Sequence, residues 1–173
     1  SLPNNTCING EFRPFAINSF RNKIYVGGVC DASGLSGTSS DLSAIVYEMN
    51  NGTFTEILNF GLDYNKGYAA SANDCDNFPG WYPWIFAPEM PATCDNNVTF
   101  IRPTPILSDI AFDIDGSLII GFTDRMGHQL GNKNYPLTGT TPLMTNVSGG
   151  DLLRAFYDAE NDVFILESNG NVG

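Results

Sequence analysis

Catalytic chemistry in this chain would have to centre on His128, its single histidine. His128 lies four residues after Asp124 and close to many loop serines, which are the side-chain types of a Ser-His-Asp hydrolase. The Gly-x-Ser-x-Gly motif that exposes the nucleophile in one class of hydrolase does not occur. A lone loop histidine more often faces solvent or forms a hydrogen bond, so we predict that the protein is not an enzyme.

Carboxylates are the other residues that could do chemistry. Asp113, Asp115 and Gly116 resemble the start of a calcium loop, but no bidentate glutamate follows them. Alternate strand residues share a face, so Asp113 is expected on a sheet surface and Asp115 in a hairpin turn. The 19 acidic residues offer many carboxylate pairs for glycoside hydrolysis without identifying one. We predict no metal and no cofactor.

Three aromatic residues are the candidates for a binding site. Trp81, Tyr82 and Trp84 are close together in a proline-rich segment. Flat amphipathic rings suit both sugar binding and protein contacts. A sugar platform requires the two tryptophans to be exposed and coplanar beside polar groups. The alternative is that they close one end of a stack of sheets.

The four cysteines are Cys7, Cys30, Cys75 and Cys94. They lack the paired spacing of a zinc site, so disulfides are favoured, and three connectivities are open. If the first two flank one antiparallel pair of strands and the last two bracket one long loop, the bonds are Cys7–Cys30 and Cys75–Cys94. Disulfides indicate an oxidising compartment.

Four Asn-x-Ser/Thr sequons are acceptor sites for glycosylation in an exported protein. They begin at Asn4, Asn51, Asn97 and Asn146. Asn51 precedes a glycine, in a sequence typical of an exposed hairpin turn. We expect a glycan to be carried best at that turn.

The charge of the chain excludes several classes of partner. The net charge is −11, and the 8 basic residues do not cluster as phosphate binding requires. Anionic membranes are disfavoured for the same reason, and no apolar run reaches the roughly 18 residues that span a bilayer. We predict no nucleic-acid partner and no membrane insertion. Because the sequence ends just beyond an apolar run, we expect the natural protein to be longer.

Alternation of polar and apolar residues, with many β-branched and aromatic side chains, predicts two sets of four strands. The first set is residues 13–20, 23–30, 42–50 and 53–60. The second set is residues 107–114, 117–123, 151–158 and 163–167, with a type I′ hairpin expected at Asp115-Gly116. Each set should form a four-stranded antiparallel meander.

The two sets repeat each other in sequence. Residues 41–48 align without gaps on residues 151–158 at an offset of 110, and residues 23–27 align on residues 117–121 at an offset of 94. Repeated four-stranded units with variable loops are typical of propeller blades. We therefore predict an all-β protein made of β-propeller-type blades. An eight-stranded β-sandwich is the structural alternative.

The blade-like units are residues 10–60 and 107–168, within a single β domain or a fragment of a longer propeller. The inserted loop 61–105 and the shorter loop 124–150 are both expected at the surface. Propellers close with roughly four to eight blades, so two blades leave edges and faces for neighbours to cover.

Five stretches that span most of the chain are shared with one family: residues 10–15, 26–32, 106–117, 121–125 and 148–151. They resemble the propeller-like region of large multi-domain bacterial cell-surface proteins, the kind that often carry SdrD B-like domains. The resemblance implies a secreted or surface-anchored protein with further blades, and it implies no catalytic residues. The cysteine-bounded loop 75–94 departs from the family pattern.

These observations predict a non-catalytic extracellular surface or structural protein that is adhesive or self-assembles into dimers or filaments. Its partners would be copies of itself or other surface proteins. The alternative is a carbohydrate-binding module of a longer secreted protein, with glycans as partners of the aromatic residues.

Overall fold

The computed structural model of the chain describes residues 7–70, 76–85, 98–135, 143–168 and 170. Eleven strands, one α-helix and one 3-10 turn at Ser39–Asp41 occur in these ranges. In chain order the larger elements are β1 (Phe12–Phe20), β2 (Lys23–Cys30), β3 (Ser43–Asn50), β4 (Thr53–Gly61), β5 (Asp76–Asn77), β6 (Val98–Ile101), β7 (Pro105–Phe112), β8 (Leu118–Asp124), α1 (Arg125–Leu130), β9 (Met144–Thr145), β10 (Asp151–Asp158) and β11 (Val163–Leu166).

Eight strands form two antiparallel meanders. Sheet 1 has the order β1-β2-β3-β4, and sheet 2 has the order β7-β8-β10-β11. A small parallel sheet of order β5-β6-β9 joins the two long loops. The all-β prediction is confirmed, and the eight main strands lie within about two residues of their predicted bounds.

Tight turns connect the paired strands. Asn51 and Gly52 both have positive φ, at 50° and 82°, as a type I′ turn between β3 and β4 requires. The predicted type I′ turn at Asp115-Gly116 is wrong, because only Gly116 has positive φ there. The Gly116 amide donates to the Asp113 carbonyl at 3.0 Å, so this hairpin has a longer loop closed by one left-handed glycine.

A β-bulge stands at the same place in the first strand of each sheet. The register of β1 with β2 shifts between Pro14 and Ala16. The register of β7 with β8 shifts between Leu107 and Asp109. Because a bulge is a specific local irregularity, its recurrence shows that the two sheets are structural repeats as well as sequence repeats.

The bulges define which residues of the repeats correspond. Gly27 lies opposite the residue that follows the bulge in β1, and Gly121 lies opposite the residue that follows the bulge in β7. The two glycines are therefore equivalent, and the structure confirms the sequence offset of 94 for the second strands. The third strands correspond differently from the sequence alignment. Glu48 pairs with Tyr25 and Arg154 pairs with the equivalent Ile119, at an offset of 106 and not 110. The four-residue difference is even, so each side chain keeps its face.

The sheets stack with equivalent strands over each other: β1 and β2 lie against β7, and β4 lies against β11. The core fills the space between them. The sheet 1 inner face contributes Tyr25, Val29, Ala44, Val46 and Leu58. The sheet 2 inner face contributes Leu107, Ile110, Leu118, Ile120, Phe122 and Ala155.

The stack is face to back and not face to face. Gly27 lies on the sheet 1 inner face, where a Cβ would come within 2.8 Å of Ile110 and Leu107 of sheet 2. Its repeat Gly121 pairs with Asp109 and Leu152 on the opposite side of sheet 2 from Ile110. Sheet 1 therefore turns one face toward sheet 2, and sheet 2 turns the same face away from sheet 1.

The two long loops differ from the surface loops predicted. In the loop 61–105, Leu62 and Trp81 are fully buried in the main core. In the loop 124–150, residues 125–130 form α1, whose Met126 and Leu130 make a second small core with Met144. Both loops pack against apolar residues, and they therefore contain buried side chains of their own.

Candidate functional site

Trp81 cannot present its ring to a ligand. It is 0% exposed, with its ring centre 5.7 Å from that of Phe122. Its Nε1 donates to the Tyr64 hydroxyl at 3.3 Å, and the Lys66 ammonium lies 4.4 Å from the ring centre. This burial argues against the prediction that Trp81 binds sugars or partners. Its burial fits the alternative, in which the tryptophans close one end of a stack of sheets.

A polar cluster surrounds Trp81 and joins the two long loops. The Tyr64 hydroxyl donates to Asp151 at 2.6 Å, and Lys66 donates to the Gly149 carbonyl at 3.0 Å. Burial and the hydrogen bond to Asp151 raise the pKa of Tyr64. Burial lowers the pKa of Lys66, against the attraction of Asp151. These hydrogen bonds join the loop 61–105 to β10 and to the loop 124–150, so the cluster anchors the loops to sheet 2.

Trp84 and Tyr82 are half-buried, and both rings already contact other groups of the chain. Trp84 donates from Nε1 to the Pro105 carbonyl at 2.7 Å, and the Arg125 guanidinium lies 4.8 Å from the ring centre. The Tyr82 hydroxyl accepts from Arg102 at 3.2 Å, and the same guanidinium lies 4.8 Å from the ring centre. Cations stack near both rings and Trp81 is buried, so the three aromatic residues do not form an open platform.

His128 and Asp124 do not form a catalytic pair. His128 is exposed on α1, whereas Asp124 is buried at the N-cap of that helix. Asp124 accepts backbone hydrogen bonds from Thr104 and Met126, both at 2.9 Å, through Oδ1, and from Gly149 at 3.3 Å through Oδ2. Burial raises the pKa of Asp124, although these bonds oppose the shift. Both of its oxygens hold backbone and are not oriented toward the imidazole.

A second buried aspartate does the same in sheet 1, and sequence reasoning missed both. Asp31 is 0% exposed and accepts from the Glu11 amide at 2.8 Å, the Ser33 amide at 3.0 Å and Arg13 Nε at 2.7 Å. Burial alone would raise the pKa of Asp31, but these bonds hold it below the ordinary value. Each aspartate fastens the entry of a first strand to the end of a second strand.

The Asp113 and Asp115 carboxylates both bind one side chain. The Arg154 guanidinium lies 3.0 Å from the first and 2.6 Å from the second. Asp115 also accepts from the Ser117 amide at 2.9 Å, which lowers its pKa. Within the described ranges, no group of three or more His, Cys, Asp or Glu residues could hold a metal ion.

The Cys7–Cys30 disulfide is confirmed, with Cα atoms 5.4 Å apart. It ties the segment before β1 to the end of β2. Cys75 and Cys94 lie outside the described residues, so their pairing stays a prediction.

The sequons differ in exposure. Asn51 is exposed at the tip of the β3–β4 hairpin, whereas Asn146 is only 9% exposed and leaves little room for a glycan. Asn4 and Asn97 lie outside the described residues.

A cleft of about 350 Å³ opens between the sheets at one end of their strands, lined by the β1–β2 and β7–β8 turns as well as by β4 and β11. Glu48 Oε2 in this cleft accepts from Lys23 Nζ at 2.9 Å and from the Tyr25 hydroxyl at 3.1 Å. Burial, helped by Glu48, raises the pKa of Tyr25 to about 12. Phe20 and Phe112, which also line the cleft, stack with their ring centres 4.3 Å apart.

The side of sheet 2 that faces away from sheet 1 carries exposed apolar side chains around Arg154. We define the sheet 2 outer face by Ile119, Gly121, Leu152, Phe156 and Ile165. Leu152 is 68% exposed and Ile165 is 49% exposed. Large apolar side chains concentrated on one sheet face indicate an interaction surface.

The opposite end of the stack is the sheet 1 outer face, defined by Pro14, Ile17, Ile24, Ile45 and Tyr47. Part of it is covered, because Phe12 and Phe54 pack edge-on against the Tyr47 ring. Ile17, in contrast, is 69% exposed, and Ile24 is 37% exposed. Each end of the stack thus carries exposed isoleucine or leucine side chains.

In the described part of the chain, no helix has the length and apolar character of a membrane span.

The chain is similar to two proteins of Dictyostelium discoideum. Colossin-A is 29% identical over 172 residues, which cover 94% of this chain and 1% of Colossin-A. Colossin-C is 28% identical over 175 residues, which cover 99% of this chain and 15% of Colossin-C. No protein-family model matches the chain, and no solved structure gives a significant match. The chain spans a small part of the length of the curated relatives that it matches.

Proposed function

We propose that this chain is a non-catalytic structural or adhesive module of an extracellular or cell-surface protein, built from propeller-type blades. The observation that carries the proposal is the face-to-back stack of two structural repeats. In a propeller each blade turns the same face toward the next, and a two-fold sandwich does not do so.

The shape of the stack also supports blades arranged around an axis. The first strands β1 and β7 are in extensive contact, whereas the last strands β4 and β11 contact each other little. The cleft of about 350 Å³ extends between the sheets as far as β4 and β11. Sheets that converge at their first strands and diverge at their last strands have the wedge geometry of neighbouring blades.

An extracellular location is supported by the Cys7–Cys30 disulfide, because such bonds persist in oxidising compartments. Asn51 is the glycosylation site that we propose, since it is exposed at a hairpin tip.

A structural role is supported by what the polar residues do. The hydrogen bonds of four buried or half-buried polar residues hold loops against strands. These residues are Asp31, Asp124, Tyr64 and Lys66. We keep copies of the chain itself, or other surface proteins, as the proposed partners. Glycan binding by the aromatic residues is not retained, because Trp81 is fully buried.

Surface staining tests this proposal. An antibody raised against the folded 173-residue chain should stain intact cells that make the protein as strongly as it stains permeabilised cells. Peptide mass spectrometry of the natural protein without reduction should recover the Cys7–Cys30 pair. Staining only after permeabilisation, together with free thiols at both positions, would contradict an extracellular role.

A further inference from the structure

We propose that the sheet 2 outer face docks the sheet 1 outer face of a second copy of this chain, repeating the interface inside one copy. The proposal deepens the structural function above and rests on it. It assigns to Gly121 the role that Gly27 has within the chain, and to Ile17 of the second copy the role of Ile110.

The interface inside one copy is the template. A Cβ at Gly27 would lie 2.8 Å from Leu107 Cδ2 and 2.8 Å from Ile110 Cδ1. Leu107 and Ile110 are both fully buried. The glycine therefore lets the backbone of β2 approach the side chains of β7 closely.

The equivalent position in sheet 2 is also a glycine, Gly121, but no other sheet in the described part of the chain lies against it. Gly121 has the ladder position of Gly27, but within 4 Å a Cβ there would meet only Asp109 of the neighbouring strand. Its φ is not in the left-handed region, so the turn chemistry that often requires glycine does not apply. Both glycines lie opposite a bulge, and a strand glycine often marks either a bulge or the close approach of another backbone; at Gly27 the close approach is present.

The sheet 1 outer face carries the matching side chains. The bulge register makes Pro14 the equivalent of Leu107 and Ile17 the equivalent of Ile110. Pro14 and Ile17 are both exposed, so they are accessible to the outer face of another copy. Ile24, the equivalent of the fully buried Leu118, is also 37% exposed.

Because the two faces differ, the contact is heterologous: each copy uses one face for each neighbour. Such contacts close into rings or extend as open chains. Burial of Leu152 and Ile165, at 68% and 49% exposure, supplies the apolar area. Each copy has a net charge of −11, so repulsion opposes association and added salt should strengthen it.

Sedimentation velocity on the 173-residue chain at 0.15 M and 0.5 M NaCl, over a range of concentrations, tests the proposal. The unmodified chain should associate into dimers and larger species, more strongly at the higher salt concentration. Ile17→Asp blocks one face and Leu152→Asp blocks the other, so each variant alone should lose at least tenfold in association constant. An equimolar mixture of the two should form dimers that do not grow, because one open face of each kind remains.

Leu35→Asp is the matched control, because Leu35 is fully exposed in a loop on neither face, and this variant should associate like the unmodified chain. Circular dichroism of each variant establishes that its fold is kept. A chain that stays monomeric at both salt concentrations would overturn the stacking, as would a mixture of the two face variants that stays monomeric. Either result would leave the surface staining, and with it the proposed function, untouched.

Discussion

Replacement of Trp81 with alanine is expected to lower the free energy of unfolding by about 3–5 kcal/mol. Trp81 is 0% exposed in the main core, so the truncation leaves a cavity beside Phe122. It also removes the hydrogen bond to Tyr64 and the ring over which the Lys66 ammonium lies. Urea denaturation followed by circular dichroism measures the change.

Leu35→Ala is the control for this substitution, because its side chain is fully exposed and its loss should leave stability within about 0.5 kcal/mol. An alanine at position 81 that left stability unchanged while abolishing sugar binding would show that the ring is a ligand platform and not part of the core.

The double substitution of Cys7 and Cys30 with alanine is expected to cost about 3 kcal/mol of stability. The bond closes a segment of 23 residues, and the chain-entropy relation gives a stabilisation of that size for such a loop. Alanine is chosen because Cys30 is only 4% exposed, where serine would bury a hydroxyl as well.

Denaturation of the oxidised protein, the reduced protein and the double variant separates these effects. The reduced protein and the variant should lose similar stability relative to the oxidised protein. A variant as stable as the oxidised protein would contradict the expected stabilisation from restricting the unfolded chain.

The strands could be predicted from the sequence because alternation is a local property. In β2, for example, Tyr25, Gly27 and Val29 turn to one side and Ile24 and Val26 turn to the other. The correspondence of Gly27 with Gly121 was also present in the sequence repeat at an offset of 94. The role of Gly27 could not be predicted from the sequence, because the close approach of Ile110 to it depends on how the two sheets dock.

The aromatic residues show where local reasoning ended. Trp81 contacts Phe122 and Tyr64, which are 41 and 17 positions away, so its burial depends on how the long loop closes over sheet 2. The predicted alignment of β10 with β3 was wrong for a similar reason. Identical residue types at an offset of 110 favoured one alignment, while the hydrogen-bonded ladder with β8 selected another four residues away.

Buried aspartates were also outside sequence reasoning. Asp31 and Asp124 belong to a chain with 19 acidic residues, and neither stands out by type or spacing. Their burial and their hydrogen bonds to Glu11 and Thr104 exist only once each first strand lies beside its second.

The most direct test of the face-to-back stack compares one substitution at two equivalent positions. Gly27→Val and Gly121→Val should be measured by urea denaturation, at protein concentrations low enough for the chain to be monomeric. We expect Gly27→Val to cost about 1–3 kcal/mol, because its side chain would overlap the buried Leu107 and Ile110. Gly121→Val should be neutral or stabilising, since only Asp109 is near and valine favours strands. Equal losses at both positions would contradict the account, because they would require both glycines to lie between the sheets.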